Sequence, residues 1–165
     1  MTAFRFPVKG YGLRDAEERD AGFFMGCVEK SILLSVTGAE SEHSELWMGD
    51  ILDVTSIAAD GGMMRSERFI LENDQKEMIG ILWMGISRDQ FTCEETGYLL
   101  GLFVCEGHRG RGLGKALMAC AEEWCLRHGL LSLTLNVGSA NTHAKRFYDG
   151  LGFGERSTVM RRRLR

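Results

Sequence analysis

A chain of 165 residues, 44% apolar and 26% charged, is long enough for one domain with a proper core and gives no reason to expect two. Its formal net charge of −3 argues against nucleic acid as the main partner, since that would want a basic face. No apolar run approaches the ~18 residues of a membrane-spanning helix, and no signal peptide is evident, so the chain reads as cytoplasmic, with no membrane partner.

Phe4, Phe6 and Val8 alternate ahead of Gly10, which predicts a first strand, and Pro7 within it suits a sheet edge. Asp15, with Glu18 three places on, is a capping box for a helix reaching about residue 34. Phe24, Cys27, Val28 and Ile32 fall on one face of it, and Gly38 is its stop. A second helix begins near Ser41 or Ser44, with Trp47, Ile51, Val54 and Ala58 on its buried stripe, and ends at Gly61-Gly62. Residues 69–71 and 79–83 flank the polar turn Asn73-Asp74-Gln75-Lys76 as an antiparallel hairpin. A polar connection over 88–96 leads into an apolar strand over 97–105. The next helix runs over 112–128, with Leu113, Leu117, Cys120, Ala121 and Trp124 on its core face and Gly129 as its cap. Leu131, Leu133, Leu135 and Val137 form a following strand, residues 142–149 a short helix, and 153–157 with 159–164 a final hairpin. With no repeats and no linker, one α/β domain over 1–165 accounts for everything.

The stretch over 98–115 carries the chemistry. An apolar strand breaks at Glu106-Gly107-His108 and enters a helix through Arg109-Gly110-Arg111-Gly112-Leu113-Gly114. The first turn of a helix has unpaired N–H groups and the positive end of the helix dipole, and glycines let an anion approach them. Two arginines add charge and forked donors suited to phosphate oxygens. A pyrophosphate fits such a place. Walker A, G-x-x-x-x-G-K-S/T, fails because Ala116 follows Gly114-Lys115 and Arg109 holds the first glycine position; the dinucleotide pattern G-x-G-x-x-G fails at Lys115 or at Leu117. What fits is R-x-x-G-x-G, as Arg109, Gly112 and Gly114.

That pattern, with Asn141, Ala144, Phe147-Tyr148 and Gly152-Phe153 downstream, resembles the GNAT superfamily of acyl-CoA-dependent N-acetyltransferases; the match covers about residues 98–153. The resemblance implies a single-domain GNAT-like α/β fold, a mixed, mostly antiparallel sheet of six to seven strands flanked by about four helices. It implies acetyl-CoA as acyl donor and direct attack by an amine, with no covalent enzyme intermediate. The site residues it implies are main-chain groups of Leu102, Phe103 and Val104 along the pantetheine arm and the loop Arg109, Gly110, Arg111, Gly112, Leu113, Gly114 and Lys115 at the pyrophosphate. Asn141 either caps its helix or sends its amide to the pantetheine arm. Tyr148 is the expected general acid for the departing thiolate, against the plainer reading of a buried tyrosine anchoring its helix.

The base has no assigned residue. Many family members carry Glu or Asp on the strand, where this chain has Leu100 and Gly101; Glu94, Glu95 and Glu106 lie outside it. The acceptor is a small-molecule amine or a protein N-terminus. Glu40, Glu42, Glu45 and Asp50 make the segment between the first two helices acidic, either to suit a cationic amine or as a solvated helix face. A non-catalytic acyl-CoA-binding module on the same fold is the alternative, and a homodimer is compatible with either. Cys27, Cys93, Cys105, Cys120 and Cys125 form no C-x-x-C pair and read as reduced thiols; His43, His108, His128 and His143 lack ligand spacing, so no metal is expected. The basic run Arg161-Arg162-Arg163-Leu164-Arg165 reads as a solvated strand or tail.

Overall fold

The computed structural model describes residues 4–36, 65–160 and 162. The elements in chain order are β1 (Tyr11–Asp15), α1 (Ala21–Leu33), β2 (Arg65–Asn73), β3 (Met78–Arg88), β4 (Glu95–Val104), α2 (Leu113–Arg127), β5 (Leu133–Leu135) and α3 (Thr142–Asp149), with 3₁₀ turns at Glu18–Asp20 and Glu106–His108. The strands form one sheet in the order β1-β2-β3-β4-β5. Every pair is antiparallel except β4 with β5. With α1 on one face of the sheet and α2 on the other, the architecture is α/β, the class expected from the sequence.

Alternation along the strands feeds two cores, one on each face. Phe69, Leu71, Leu82, Met84 and Leu99 pack against Leu113, Leu117, Ala121 and Trp124 of α2. Ile70, Ile81, Trp83 and Phe103 pack against Phe24, Cys27 and Val28 of α1. In β4 the alternation slips: Trp83 faces Gly101, yet Met84 faces Leu99, so Leu100 bulges out of the ladder. Leu99 and Leu102, three apart, consequently lie toward α2, whereas Leu100 and Phe103 lie toward α1.

Four expectations need correction. Phe4, Phe6 and Val8 form no strand; Phe4 plugs the α2-side core edge-on to Phe69 at 5.2 Å, and the first strand begins only after Gly10, at φ +86°. The apolar alternation recorded burial, and Pro7 has no N–H for a ladder. The first helix begins at Ala21, because Arg14 binds Asp20 at 2.6 and 3.0 Å and Glu72 at 3.0 Å. The capping box accordingly forms between Glu17 and Asp20, not at Asp15 and Glu18. The bond from Arg14 holds the buried Asp20 carboxyl down at about 2. The strand over 131–137 shortens to Leu133–Leu135.

The final hairpin is also absent over the described part, residues 153–160, where Val159 and Met160 are exposed. Their neighbours bond elsewhere: Arg156 pairs with Asp89 and lies over the Phe91 ring at 5.3 Å, and the Thr158 hydroxyl donates to Glu155 at 2.7 Å. The described residues thus hold five strands and three α-helices, against six to seven strands and about four helices expected for the whole chain. The second helix expected after residue 41 lies outside the described residues.

β3 and β4 approach closely at Gly80, where an added Cβ would stand 2.4 Å from the Phe103 carbonyl oxygen. Gly80→Ala is expected to cost about 1–3 kcal/mol through overpacking against backbone that has no room to yield. Chemical denaturation measures it, and an unchanged midpoint would mean that the two strands separate freely here.

Candidate active site

The site grows from the way β4 loses its second neighbour. β5 pairs only with Gly97–Leu99, so beyond Leu99 the β4 edge has no strand beside it among the described residues. The closed end is pinned by hydroxyls: Ser132 Oγ donates to Thr96 Oγ1 at 2.9 Å, and Thr96 and Thr134 meet at 3.2 Å. The Gly97 N–H donates to Ser132 O at 3.0 Å, and a Cβ on Gly97 would stand 2.2 Å from Cys125 Sγ, so only glycine lets α2 lie this close. None of these three hydroxyl residues was singled out in the sequence, since their meeting depends on how β4 and β5 pair.

The phase of the ladder decides which groups the open edge offers. The Cys105 N–H donates to Ile79 O at 2.8 Å, so Cys105 faces β3. In an antiparallel pair the peptide groups alternate, which turns Phe103 toward β3 as well and leaves Leu102 and Val104 facing the open side. Of the three strand residues singled out in the sequence, these two present main-chain groups to the gap.

The chain then turns through Glu106–His108 into the glycine loop. Gly110 and Gly112 both have positive φ, +77° and +78°, and a Cβ on either would meet nothing within 4 Å. Gly112 is the N-cap of α2 and offers no side chain to its first turn. The N–H groups of Leu113, Gly114 and Lys115 therefore begin the helix without intrahelical acceptors, the first helical bond being Ala116 N–H to Gly112 O at 3.0 Å. Leu113 is buried in the core below the loop, and Lys115 is exposed beside it. Gly114 does other work: its Cβ would sit 3.3 Å from the Phe147 ring, so it sets the contact between α2 and α3.

Both arginines are already engaged. Arg109 Nε donates to Val104 O at 2.9 Å, its guanidinium lies 5.3 Å over the Phe103 ring, and its NH1 stands 3.9 Å from Glu106. Arg111 donates to the Tyr11 hydroxyl at 3.1 Å and to Gly107 O at 3.2 Å, tying the loop to β1. Toward α1, a cleft of about 510 Å³ is lined by Lys30, Leu33 and Leu34 from the helix and by Phe103, Cys105, Glu106 and Arg109 from β4 and its loop. The helix residues carried no signal in the sequence beyond their amphipathic spacing. A hollow of about 490 Å³ elsewhere is lined by Arg14, Asp20, Glu72 and Lys76, whose charges pair with one another.

Downstream, Asn141 is the N-cap of α3, its Oδ1 accepting from the Ala144 N–H at 3.1 Å. That bond uses only the oxygen, and the Nδ2 amide has no protein partner among the described residues. Tyr148 is half-buried between Phe147 and Phe153, with ring centroids at 5.2 and 5.6 Å. Its hydroxyl makes no hydrogen bond among the described residues, and burial pushes the phenol up to about 12. At the bulge, the Trp83 indole N–H is buried without a partner, a donor the sequence gave no reason to single out. No group of three or more His, Cys, Asp or Glu is placed to hold a metal among the described residues, nor is any helix there long and apolar enough to cross a membrane.

The Tyr148 environment fixes the sign of a pH effect. The phenol ionises near its ordinary 10 in the unfolded chain and at about 12 in the fold. Its contribution is intact below pH 10 and lost as pH rises from there toward 12. Urea midpoints at pH 8, 10 and 11 are expected to decline less for Tyr148→Phe than for wild type; parallel declines would mean that the ring is solvated.

Comparison with known proteins bears on the family and the fold. N-acetyltransferase YycN of Bacillus subtilis (strain 168), itself uncharacterised, is 30% identical over 94 residues, 57% of this chain and 59% of that one. A mycothiol acetyltransferase of Renibacterium salmoninarum is 24% identical over 126 residues, 76% of this chain and 37% of that protein. The chain thus spans less than two thirds of the length of these curated relatives. A solved structure from Pyrococcus furiosus superimposes with a TM-score of 0.76 at 22% identity, covering 93% of this chain and 99% of that one, which is a likeness of fold. The model of the acetyltransferase (GNAT) family matches residues 38–153, most of the chain, and the protein belongs to that family.

Proposed function

We propose that the protein is an N-acetyltransferase that moves an acetyl group from acetyl-CoA to a primary amine by direct attack within a ternary complex. Family membership implies the acetyl-CoA donor, and the distant relatives are N-acetyltransferases acting on varied substrates. One observation carries the reading: the unpaired edge of β4 at Leu102 and Val104 runs toward the uncapped first turn of α2. An arm of alternating amide donors and acceptors that ends in a pyrophosphate complements both. The open space above Gly110 and Gly112 admits the phosphates to the N–H groups of Leu113, Gly114 and Lys115. Arg109 and Arg111 shape that loop, and the free Nδ2 of Asn141 is available to an amide of the arm.

When bound, acetyl-CoA supplies an activated thioester. The protein polarises the carbonyl with main-chain N–H groups of β4. Tyr148 gives the departing sulfur a proton. The phenol, raised to about 12 by burial, is protonated at neutral pH and so has a proton to give to the sulfur. On the amine side, Glu106 is the one carboxylate among the described residues lining the α1-side cleft, exposed and paired to Arg109. No buried base stands on β4, so the amine reaches the thioester partly neutral or loses its proton through water. The absence of a carboxylate at Leu100 and Gly101 also supports a second reading, an acyl-CoA-binding module without turnover.

Free-thiol release from acetyl-CoA across a panel of small amines and N-terminal peptides separates the two readings: acceptor-dependent thiol supports the enzyme, and binding without thiol release supports the module. Gly112→Val puts a β-branched residue at φ +78° and a side chain above the helix N-terminus. It is expected to weaken acetyl-CoA by roughly tenfold or more in calorimetry. Wild-type affinity in that variant would remove the phosphate assignment; Gly114 is a poorer probe, since a side chain there strikes Phe147. Tyr148→Phe is expected to lower kcat by on the order of 10²-fold with acetyl-CoA affinity nearly unchanged. Unaltered turnover would leave Tyr148 a packing residue.

A further inference from the structure

We propose that Arg109 is a positioning residue, a brace that closes the β4 edge at Val104, and that its hydrogen bond rather than its charge serves acyl-CoA binding. The proposal rests on reading the open edge as the acyl-CoA site. The Arg109 Nε–H donates to the Val104 carbonyl at 2.9 Å, and the guanidinium lies over the ring of Phe103, the residue before Val104 in the strand, 5.3 Å from its centroid. The third contact, with Glu106 at 3.9 Å, partly offsets the charge. The backbone between the two ends of this bond is itself closed, His108 N–H donating to Cys105 O at 2.9 Å and Arg109 N–H to Glu106 O at 3.1 Å. The Arg109–Val104 bond is therefore a chord across a tight loop.

The chord matters because of where Val104 points. The ladder phase turns its carbonyl to the open side, where no strand among the described residues donates to it. Left free, that carbonyl would lie beside a bound arm as a second acceptor in the wrong register, or be desolvated unpaired. With Arg109 on it, the pairing groups that remain are those of Leu102 and the N–H of Val104. The same bond sets the direction in which the chain leaves the strand, and hence where Gly110, Gly112 and the α2 N–H groups stand relative to Leu102.

Side-chain chemistry makes the idea separable from an anion-binding role. The donating nitrogen of arginine, Nε, is bonded to Cδ. The amide nitrogen of glutamine is bonded to Cδ too, so Arg109→Gln keeps a donor at the same place on the chain and removes the charge. Arg109→Lys keeps the charge and moves the donor one bond further out. Arg109→Met keeps approximate length and supplies neither.

The experiment measures acetyl-CoA affinity by calorimetry, with KM and kcat from thiol release, for wild type and these three variants at low and high salt. Backbone hydrogen exchange of His108 and Arg109 in the free protein is read alongside, together with thermal midpoints. A brace predicts that Gln holds within about threefold of wild type, while Lys and Met each lose roughly tenfold in affinity and in KM for acetyl-CoA. kcat at saturation should change much less. The losses should be the same at both salt concentrations, and exchange at His108 and Arg109 should rise in Met and Lys but not in Gln. The opposite ranking, Lys near wild type and Gln as poor as Met with a gap that closes in high salt, would assign Arg109 to the anion and overturn the brace. Should wild type bind no acetyl-CoA, the acyl-CoA reading falls by itself. The exchange pattern still decides the brace, Gln as fast as Met counting against it.

Discussion

Backbone polar groups that lose a strand neighbour inside a folded domain must find another partner, and the last third of β4 has lost one. β3 continues to pair with it as far as Val104, while β5 lets go at Leu99. An unpaired main-chain edge at a rim can be left to water, covered, or used. Here the surroundings keep it open: Thr96, Ser132 and Thr134 lock the end where the strands still touch, and α2 is drawn against that end at Gly97. At the far end, the turn Glu106–His108 and the Arg109 contact lift the chain off the sheet and into a helix whose first turn is equally short of partners. A strand edge and a helix terminus, each short of partners, are thus joined by the eight residues 105–112. A ligand that satisfies only one leaves the other to solvent, which is why a long molecule with amides and phosphates fits better than a phosphate alone.

Much of this was legible in the chain. The R-x-x-G-x-G spacing at Arg109, Gly112 and Gly114 located the loop, and the helices over 112–128 and 142–149 were found to within a residue. Those elements announce themselves because their apolar stripe, glycine stop or Asn cap is local. What failed was non-local. The start of α1 is decided by Arg14 reaching Asp20 and Glu72, a contact between residues 58 apart for the latter. The bulge at Leu100 could not be read from Tyr98-Leu99-Leu100-Gly101-Leu102-Phe103-Val104, since with both faces of the sheet covered nearly every position is apolar and the period of two is erased. Burial of Phe4, Phe6 and Val8 imitated a strand for the same reason.

The glycines of the loop look interchangeable in the sequence and are not so in the fold. Gly110 and Gly112 hold left-handed backbone under empty space, so their demand is conformational and their benefit is access. Gly114 has ordinary helical backbone and stands against Phe147, so its demand is spatial. That contact couples the loop to α3, the helix that carries Asn141 at its start and Tyr148 near its end. Anything that shifts Phe147 therefore shifts Tyr148, its neighbour in chain and in ring contact.

On the proposed reading the chemistry is lopsided toward the leaving group. A half-buried, unpartnered phenol sits on a helix braced against the glycine loop, whereas among the described residues the amine side offers only the exposed Glu106. A base on β4 would have to stand at the bulge, where Leu100, partly buried, packs against the α1-side core instead. Taking an unpaired charge part-way out of water costs free energy, which leaving the proton to water avoids. On the proposed reading, turnover then depends on the fraction of the acceptor already neutral, so the rate should climb with pH through the acceptor's own ammonium ionisation rather than through that of any residue on β4.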